Sequence, residues 1–173
     1  MIKRDILKTI SYRDKDEMVS SLFQKYTVDM YRVAKSRLDN EDDIYDVIQE
    51  TAYKLYINFE KISNIDRIKI WLIKVLINEC NKIYKIKKRD IKLQEKVLQE
   101  KLEKRNFTTE NNMDFELLLK ALKKEDRTIL SLYYGRNYTT KEIAMILHKS
   151  ENTIRSRIKR SKKIIKEKME EDE

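Results

Sequence analysis

The stretch TTKEIAMILHKSENTIRSRIKRSKK, residues 139–163, predicts two short helices that are separated near His148. The first helix is expected to bury Ile143, Ala144, Ile146 and Leu147, which recur at helical spacing. Ser150 stands where the second helix should begin, because a serine hydroxyl can accept a hydrogen bond from a backbone N–H group of the next turn. The second helix carries a thin apolar stripe that starts with Ile154 and Ile158. Two short helices arranged in this way are typical of a helix-turn-helix.

The remaining surface of the second helix is basic and comprises Arg155, Arg157, Lys159, Arg160, Lys162 and Lys163. Such a helix is suited to the major groove of duplex DNA, where cations meet phosphates and base edges. A basic helix near the end of a chain is also, in many proteins, only a solvated surface. The expected N-cap and the apolar spacing favour the DNA-binding interpretation.

The composition predicts an all-α protein. The chain has 173 residues, 40% hydrophobic and 40% charged, so it can form one domain or two small ones with charged exteriors. With no proline and one glycine, the sequence offers almost no residues for hairpin turns. The net charge of +9 favours a polyanionic partner, although a membrane surface would satisfy the same charge.

The single cysteine and the single histidine exclude several kinds of site. Cys80 cannot form an internal disulfide or a cysteine-rich metal site, and its apolar neighbours predict a buried, inert thiol. His148 is not expected to bind a metal, and no cofactor is expected. No apolar run approaches the roughly 20 residues of a membrane span, and residues 1–17 lack a signal-peptide core. We therefore expect a cytoplasmic protein without membrane insertion.

Apolar spacing predicts three helices in the N-terminal half of the chain. The first runs from Asp16 to Leu38 and the second from Asp42 to Asn58. A loop from Phe59 to Asp66 leads to the third and most hydrophobic helix, Arg67 to Lys85, which should pack between the others. The residues predicted to be buried around the second helix are Ile44, Val47, Ile48, Ala52, Leu55, Tyr56 and Phe59.

The second helix also carries a polar stripe, which comprises Asp46, Gln49, Glu50 and Tyr53 at positions i, i+3, i+4 and i+7. Side chains at this spacing can contact one partner surface together, although a polar stripe without context is usually only solvated. The third helix ends in a run of cations, which comprises Lys82, Lys85, Lys87, Lys88 and Arg89. This run predicts a second positive surface, well separated in sequence from residues 139–163.

The predicted organisation is two small helical domains joined by a linker. The N-terminal helical domain comprises residues 1–89, and the partly helical linker comprises residues 90–112. A helix docked on one domain is the alternative for the linker. The C-terminal domain, residues 113–173, contains two helices before the helix-turn-helix and closes with an acidic tail. Gly135 is expected to end one of those helices in the left-handed conformation.

Three segments resemble the extracytoplasmic-function sigma factors, which are compact bacterial transcription initiation factors. Residues 46–50, DVIQE, look like the D-x-x-Q-E segment of that family. Residues 71–78, WLIKVLIN, are similar to its W-L-x-R-I-A-x-N helix, and residues 141–158 resemble its C-terminal helix-turn-helix. The three segments follow in the family's order and cover almost the whole chain. The departures include His148 and Asn152 where glycine is common, and lysine at position 82 where aspartate is common.

The resemblance implies promoter-specific initiation through three surfaces. Core RNA polymerase would be bound by Asp46, Gln49, Glu50 and Tyr53. The melted minus-ten strand would be recognised by Asn64, Trp71, Lys74, Asn78, Lys82 and Lys85, as single strands are read by pockets, stacking and cations. The minus-thirty-five duplex would be contacted by Thr140, Asn152, Thr153, Arg155, Ser156, Arg157, Lys159, Arg160 and Lys163. The implied partners are core RNA polymerase, promoter DNA and an anti-sigma factor.

Two other functions are alternatives to this one. A helix-turn-helix regulator that binds duplex DNA without polymerase would leave the stripe of Asp46, Gln49 and Glu50 unexplained. A carboxylate enzyme would have to use the acidic residues between 41 and 50, but carboxylate metal sites in helical bundles pair glutamate with a nearby histidine, and this half has none. No nucleophile–base pair or glycine-rich phosphate loop is present in the sequence. The sequence therefore does not indicate an enzyme.

Overall fold

The computed structural model describes residues 12–62, 67–95, 122–135 and 138–171. Its helices are α1 (Tyr12–Lys35), α2 (Glu41–Asn58), α3 (Ile68–Glu95), α4 (Lys124–Gly135), α5 (Thr140–Leu147) and α6 (Glu151–Glu171), with a 3-10 turn at Phe59–Lys61. No strand occurs in these ranges, which confirms the all-α prediction. Most of the predicted linker and the first predicted helix of the C-terminal domain lie outside the described residues. Among the described helices, none has the length and apolarity needed to cross a membrane.

The helices α1, α2 and α3 pack into an N-terminal bundle. Met30 of α1, Leu55 of α2 and Leu72 of α3 are fully buried in its centre. The burial of each such side chain contributes roughly 1.5–3 kcal/mol to the stability of the fold. The helix α3 packs against α1, α2 and α5, in agreement with its predicted central position.

The helices α4, α5 and α6 pack together in the C-terminal half. Ile129 of α4, Ile143 of α5 and Ile154 of α6 are almost completely buried. Ile158 is buried one turn further along α6, while the rest of that helix is mostly exposed. The helices α5 and α6 therefore form the predicted helix-turn-helix, and α6 is held by a thin apolar stripe.

Local side-chain chemistry determines where the helices begin. Asn40 caps α2 with its side-chain oxygen, which accepts a hydrogen bond from the backbone N–H of Asp43 at 2.9 Å. Thr139 and Glu142 form a reciprocal capping box at the start of α5. The Ser150 hydroxyl accepts from the backbone N–H of Thr153 at 3.1 Å, which confirms the predicted N-cap of α6.

The turn between α5 and α6 depends on a residue with left-handed backbone. His148 has φ 53 and ψ 46, and it ends α5 at the position where the sequence lacks the usual glycine. Histidine is among the residues that tolerate this conformation better than most, so the turn survives without glycine. The same expectation for Gly135 was wrong, because Gly135 has no positive φ. Its carbonyl oxygen instead accepts a hydrogen bond from Arg32 Nη1 at 3.0 Å, so a tertiary contact satisfies the end of α4.

Two further expectations for the N-terminal half were wrong in detail. The helix α3 continues ten residues beyond the predicted end at Lys85, to Glu95, because its basic exit contains no glycine or proline that would stop a helix. Tyr56 is 39% exposed rather than buried. Its ring lies at the edge of the bundle under the ammonium of Lys15, 4.7 Å from the ring centroid.

The N-terminal and C-terminal halves are in direct contact, with α1 against α4 and α3 against α5. The guanidinium of Arg37 donates to Thr128 Oγ1 at 3.1 Å and to Asn81 Oδ1 at 2.7 Å. Burial lowers the pKa of Arg37 from its ordinary value. Lys69 pairs with Glu142 at 2.8 Å, which joins the start of α3 to the capping box of α5. Polar as well as apolar contacts therefore hold the two halves together.

Candidate functional site

The outward surface of α2 carries the predicted polar stripe. Asp46, Gln49, Glu50 and Tyr53 are all exposed, and we call them the α2 stripe. Because all four side chains lie on one side of α2, a single partner can contact them together. The Lys54 ammonium lies 3.3 Å from a carboxylate oxygen of Glu50, so this end of the stripe is partly neutralised.

The sequence predicted only Tyr53 of the apolar part of this surface. Tyr45 is 54% exposed, Tyr53 59% and Ile57 48%. With the exposed Tyr56, they surround the acidic residues of the α2 stripe. Exposed aromatic residues beside a few charges are typical of protein–protein interfaces. The pattern was missed because the sequence assigned Tyr56 to the core, although three tyrosines within residues 45–56 were a visible signal.

The predicted single-strand surface follows one side of α3. Trp71 and Lys74 are half-buried, whereas Asn78, Lys82 and Lys85 are exposed, and we call these five residues the α3 stripe. Their spacing places them along several successive turns of one helix. Asn64, which was predicted to belong to the same surface, lies outside the described residues.

A cleft of about 620 Å³ separates the start of α3 from the helix-turn-helix. The cleft is lined by Arg67, Ile70, Trp71, Lys74, Lys141, Ala144, Met145, His148, Lys149 and Glu151. Its lining combines one tryptophan and three aliphatic or thioether side chains with four lysine and arginine side chains, one histidine and one glutamate. Trp71 and Lys74 of the α3 stripe thus face residues from α5 and from the α5–α6 turn.

A buried acid joins α2 to the basic end of the α3 stripe. Glu79 is only 7% exposed, and its carboxylate accepts hydrogen bonds from Lys54 Nζ at 2.5 Å and from Lys82 Nζ at 2.9 Å. Burial alone would raise the pKa of Glu79, but the hydrogen bonds from the two lysines outweigh it and hold the pKa below its usual range. The carboxylate is therefore ionised at neutral pH.

The outer surface of α6 presents most of the residues predicted to contact duplex DNA. Asn152, Arg155, Ser156, Lys159, Arg160 and Lys163 are exposed, and we call them the α6 face. Arg155 donates to a carboxylate oxygen of Glu151 from Nε at 3.2 Å and from Nη2 at 2.8 Å. The Thr140 hydroxyl donates to the same oxygen at 2.6 Å. These bonds tie the first turn of α6 to α5 and hold one guanidinium in a defined orientation.

Besides Arg155, three of the predicted duplex contacts that are only partly exposed make hydrogen bonds or ion pairs inside the protein. Arg157 Nη1 lies 2.7 Å from Glu125 and 2.9 Å from Asp126, which joins α6 to α4. Thr153 donates its backbone N–H to the Ser150 cap. Thr140 bonds Glu151, as described above. These contacts depend on the tertiary fold or on local capping, and the basic character of α6 did not reveal them.

The described residues do not bring together ligands for a metal ion. Within the four described ranges, no group of three or more histidine, cysteine, aspartate or glutamate side chains could hold one. Cys80 is buried, as predicted, and burial raises the pKa of its thiol to about 11. The thiol therefore stays protonated and unreactive at neutral pH.

The chain matches two family models that together cover most of its length. Residues 22–89 match the model described as Sigma-70 region 2, and residues 112–165 match the model described as Sigma-70, region 4. The first matched segment contains the α2 stripe and the α3 stripe, and the second contains the α6 face.

Individual relatives agree with these models. The chain is 28% identical over 138 residues to RNA polymerase sigma factor SigV of Bacillus subtilis (strain 168), covering 80% of this chain and 82% of SigV. The sigma factor RpoE, solved in complex with the anti-sigma factor NepR from Bartonella quintana, superposes with a TM-score of 0.70 at 20% identity, covering 88% of this chain and 99% of RpoE. CnrH, solved in complex with the cytosolic domain of CnrY, superposes with a TM-score of 0.66 at 18% identity. The superposition covers 99% of this chain and 97% of CnrH. At these identities the two structures show a shared fold.

Proposed function

This chain belongs to the extracytoplasmic-function sigma factors, which bind core RNA polymerase and direct promoter-specific transcription initiation, and from that premise we propose which surface performs each task. Members of the family are DNA-binding initiation factors rather than enzymes, and we propose no catalytic activity for this chain. Because promoters and core polymerase lie in the bacterial cytoplasm, we propose that this chain acts there.

The proposed polymerase-binding surface is the α2 stripe with its aromatic surroundings. Asp46 and Glu50 supply negative charge, and Tyr45, Tyr53 and Ile57 supply exposed apolar area beside it. Charge directs the encounter with a basic partner, while aromatic side chains contribute much of the binding energy in such interfaces. This exposed acidic and aromatic surface is the observation that carries the proposal, because a regulator that binds only duplex DNA has no use for it.

The proposed minus-ten surface is the α3 stripe. Trp71 offers an aromatic face on which an unpaired base can stack, and such stacking contributes roughly 1–3 kcal/mol per base. Lys74, Lys82 and Lys85 supply cations for the strand backbone, and Asn78 supplies an amide for base edges. Asn64 remains a predicted member of this surface.

The proposed minus-thirty-five surface is the α6 face. Arg155, Ser156 and Lys159 would reach base edges in the major groove, and Asn152, Arg160 and Lys163 would contact the adjacent phosphates; their exposure supports this assignment. Thr140, Thr153 and Arg157 would act mainly by holding α6 in place, because each is partly buried as well as bonded within the protein, whereas Arg155 is exposed.

Use of both DNA surfaces at once requires the two halves to separate. The two promoter elements are about 25 base pairs apart, on the order of 85 Å of duplex at about 3.4 Å per base pair. In the structure, Trp71 and Met145 line the same cleft. We therefore propose that residues 1–89 and 113–173 act as two domains that move apart on polymerase, with residues 90–112 as the linker. A linker of suitable reach lets two weak contacts act together.

An anti-sigma factor is the third proposed partner. RpoE and CnrH, which share this fold, were each solved with a bound protein, NepR described as an anti-sigma factor and the cytosolic domain of CnrY. A protein of that class that binds this chain would compete with polymerase for it.

The test of the proposed function separates polymerase binding from duplex binding. Asp46→Lys reverses one charge in the α2 stripe, and we expect it to lower affinity for core RNA polymerase by at least about tenfold while affinity for minus-thirty-five duplex stays unchanged. Asp16→Lys makes the same charge change at an exposed position of α1 and is the matched control. If the wild-type protein formed no complex with core polymerase yet bound promoter duplex tightly, the proposal would be wrong.

A further inference from the structure

Glu79 is a buried acid that the three proposed surfaces leave without a role. It lies on α3 directly after Asn78, a member of the α3 stripe. A carboxylate is costly to bury unless it is paired, and Glu79 is paired with a lysine on each side. Aspartate is common in the family where this chain has Lys82, and aspartate could not pair with Glu79 in this way.

The two lysines connect Glu79 to both proposed working surfaces of the N-terminal half. Lys54 contacts Glu50 of the α2 stripe as well as Glu79. Lys82 belongs to the α3 stripe, and its side chain is 61% exposed although its ammonium is bonded to Glu79. Four charges of alternating sign therefore lead from the proposed polymerase surface to the proposed promoter surface.

We propose that Glu79 is a positioning residue that holds the Lys82 ammonium toward the melted promoter strand and connects it, through Lys54, to Glu50. The inference rests on the proposed function of the α2 and α3 stripes. An ammonium has three N–H donors, and the two oxygens of Glu79 leave one available for a phosphate. A lysine side chain loses rotamer freedom when it is fixed, so fixing it in advance reduces the entropy that is lost when the strand binds.

For one substitution, Glu79→Gln, the proposal and simple electrostatics predict opposite changes in promoter opening. Glu79→Gln removes a negative charge beside the proposed DNA surface. If Glu79 acted only as a charge, its removal would relieve repulsion and strengthen binding to the polyanionic strand. If Glu79 positions Lys82, promoter opening becomes weaker although the net charge of the protein rises.

The experiment measures promoter opening by reconstituted holoenzyme, with permanganate reactivity of unpaired thymines as the readout and polymerase affinity measured separately. We expect Glu79→Gln and Lys82→Met each to reduce opening by roughly five- to tenfold, and the double variant to lose no more than either. Glu79→Asp keeps the charge but withdraws the carboxylate by one methylene, and its opening should fall between wild type and Glu79→Gln. Glu170→Gln makes the same charge change in an exposed pair with Lys166 and should open promoters normally.

A double-mutant cycle tests the connection through Lys54. Glu50→Gln and Lys82→Met should be non-additive in their effects on promoter opening, and they should become additive when Lys54→Met removes the ammonium between them. Additive effects in the presence of Lys54 would overturn the connection to Glu50.

Each other outcome also decides the question. If Glu79→Gln opens promoters at least as well as wild type while Lys82→Met is impaired, the positioning role of Glu79 is overturned. The proposed function stays intact in that case. Normal opening by both Lys82→Met and Trp71→Ala shows that the α3 stripe does not contact the strand, and the inference falls with that assignment. If Glu79→Gln fails to fold, Glu79→Asp decides alone, and normal opening by that variant overturns the proposal.

Discussion

The α3 stripe and the α6 face are both basic, but the structure gives them different surroundings. Trp71 and Lys74 lie half-buried in a cleft opposite α5, and Lys82 is bonded to a buried acid. On α6, Lys159 and Arg160 are exposed. A surface for unpaired bases needs a shaped recess, whereas a surface for duplex needs projecting cations. The arrangement of the halves therefore encloses only the Trp71 and Lys74 end of the α3 stripe and leaves the α6 face accessible.

The largest effect is expected from holding the two halves together. Lys69→Cys with Glu142→Cys, joined by a short bismaleimide, replaces the ion pair by a covalent link. Because the cleft cannot open, the linked protein should lose promoter opening altogether, while its affinity for minus-thirty-five duplex stays close to wild type. Permanganate footprinting and a duplex-binding titration measure the two properties.

The same double variant capped with a monofunctional maleimide is the control for the linked protein. Cys80 need not be replaced, because the raised pKa of its buried thiol, about 11, keeps it unreactive toward maleimide. If the linked protein opened promoters like the capped one, the two halves would not have to separate.

A smaller effect should separate two kinds of cation on α6. Lys159→Ala removes an exposed ammonium and should weaken binding to promoter duplex by about tenfold. Arg157→Ala breaks the pairs with Glu125 and Asp126, so it should lower the free energy of unfolding by about 1–2 kcal/mol and change duplex affinity by less than about twofold. Thermal unfolding and a duplex titration of both variants would contradict this division if their effects were exchanged.

The smallest effect concerns pH and the contact between the halves. Burial would raise the pKa of Glu142, but hydrogen bonds from Lys69 and Thr139 outweigh it and hold the pKa below its usual range. The stabilisation from ionised Glu142 is therefore complete above the unfolded-state pKa of about 4.3 and is lost as pH falls through the lower folded-state pKa.

The comparison with Glu142→Gln isolates this contribution. Between pH 6 and pH 3, the wild-type protein should lose about 0.5–1 kcal/mol more of its unfolding free energy than Glu142→Gln does. Denaturant titrations at several pH values provide the curves. Parallel curves for the two proteins would show that ionised Glu142 adds nothing to stability.

The sequence predicted features that depend on neighbours along the chain. Apolar spacing located the helices, and the hydroxyl of Ser150 and the tolerance of His148 for left-handed backbone located the turn of the helix-turn-helix. The resemblance supplied the three surfaces. The structure shows the α2 stripe and the six residues of the α6 face exposed, and the α3 stripe partly exposed, while the partner of each surface stays a prediction.

What the sequence missed depends on residues far apart in the chain. Gly135 was assigned a left-handed turn because nothing nearby reveals that Arg32 bonds its carbonyl oxygen. The bonds of Glu79 to Lys54 and of Arg157 to Asp126 likewise require the packed helices. The sequence does not distinguish a helical lysine or arginine that contacts DNA from one that pairs with a buried acid. Only the folded structure separates the exposed cations from the cations that are paired within the protein.

Trp71 is the only tryptophan in the chain, and it lines the cleft between the halves. The emission of an indole shifts to longer wavelength when water replaces its apolar neighbours. The protein therefore carries a built-in optical reporter of its own opening. A change in emission without a change in helical circular dichroism would distinguish separation of the halves from unfolding.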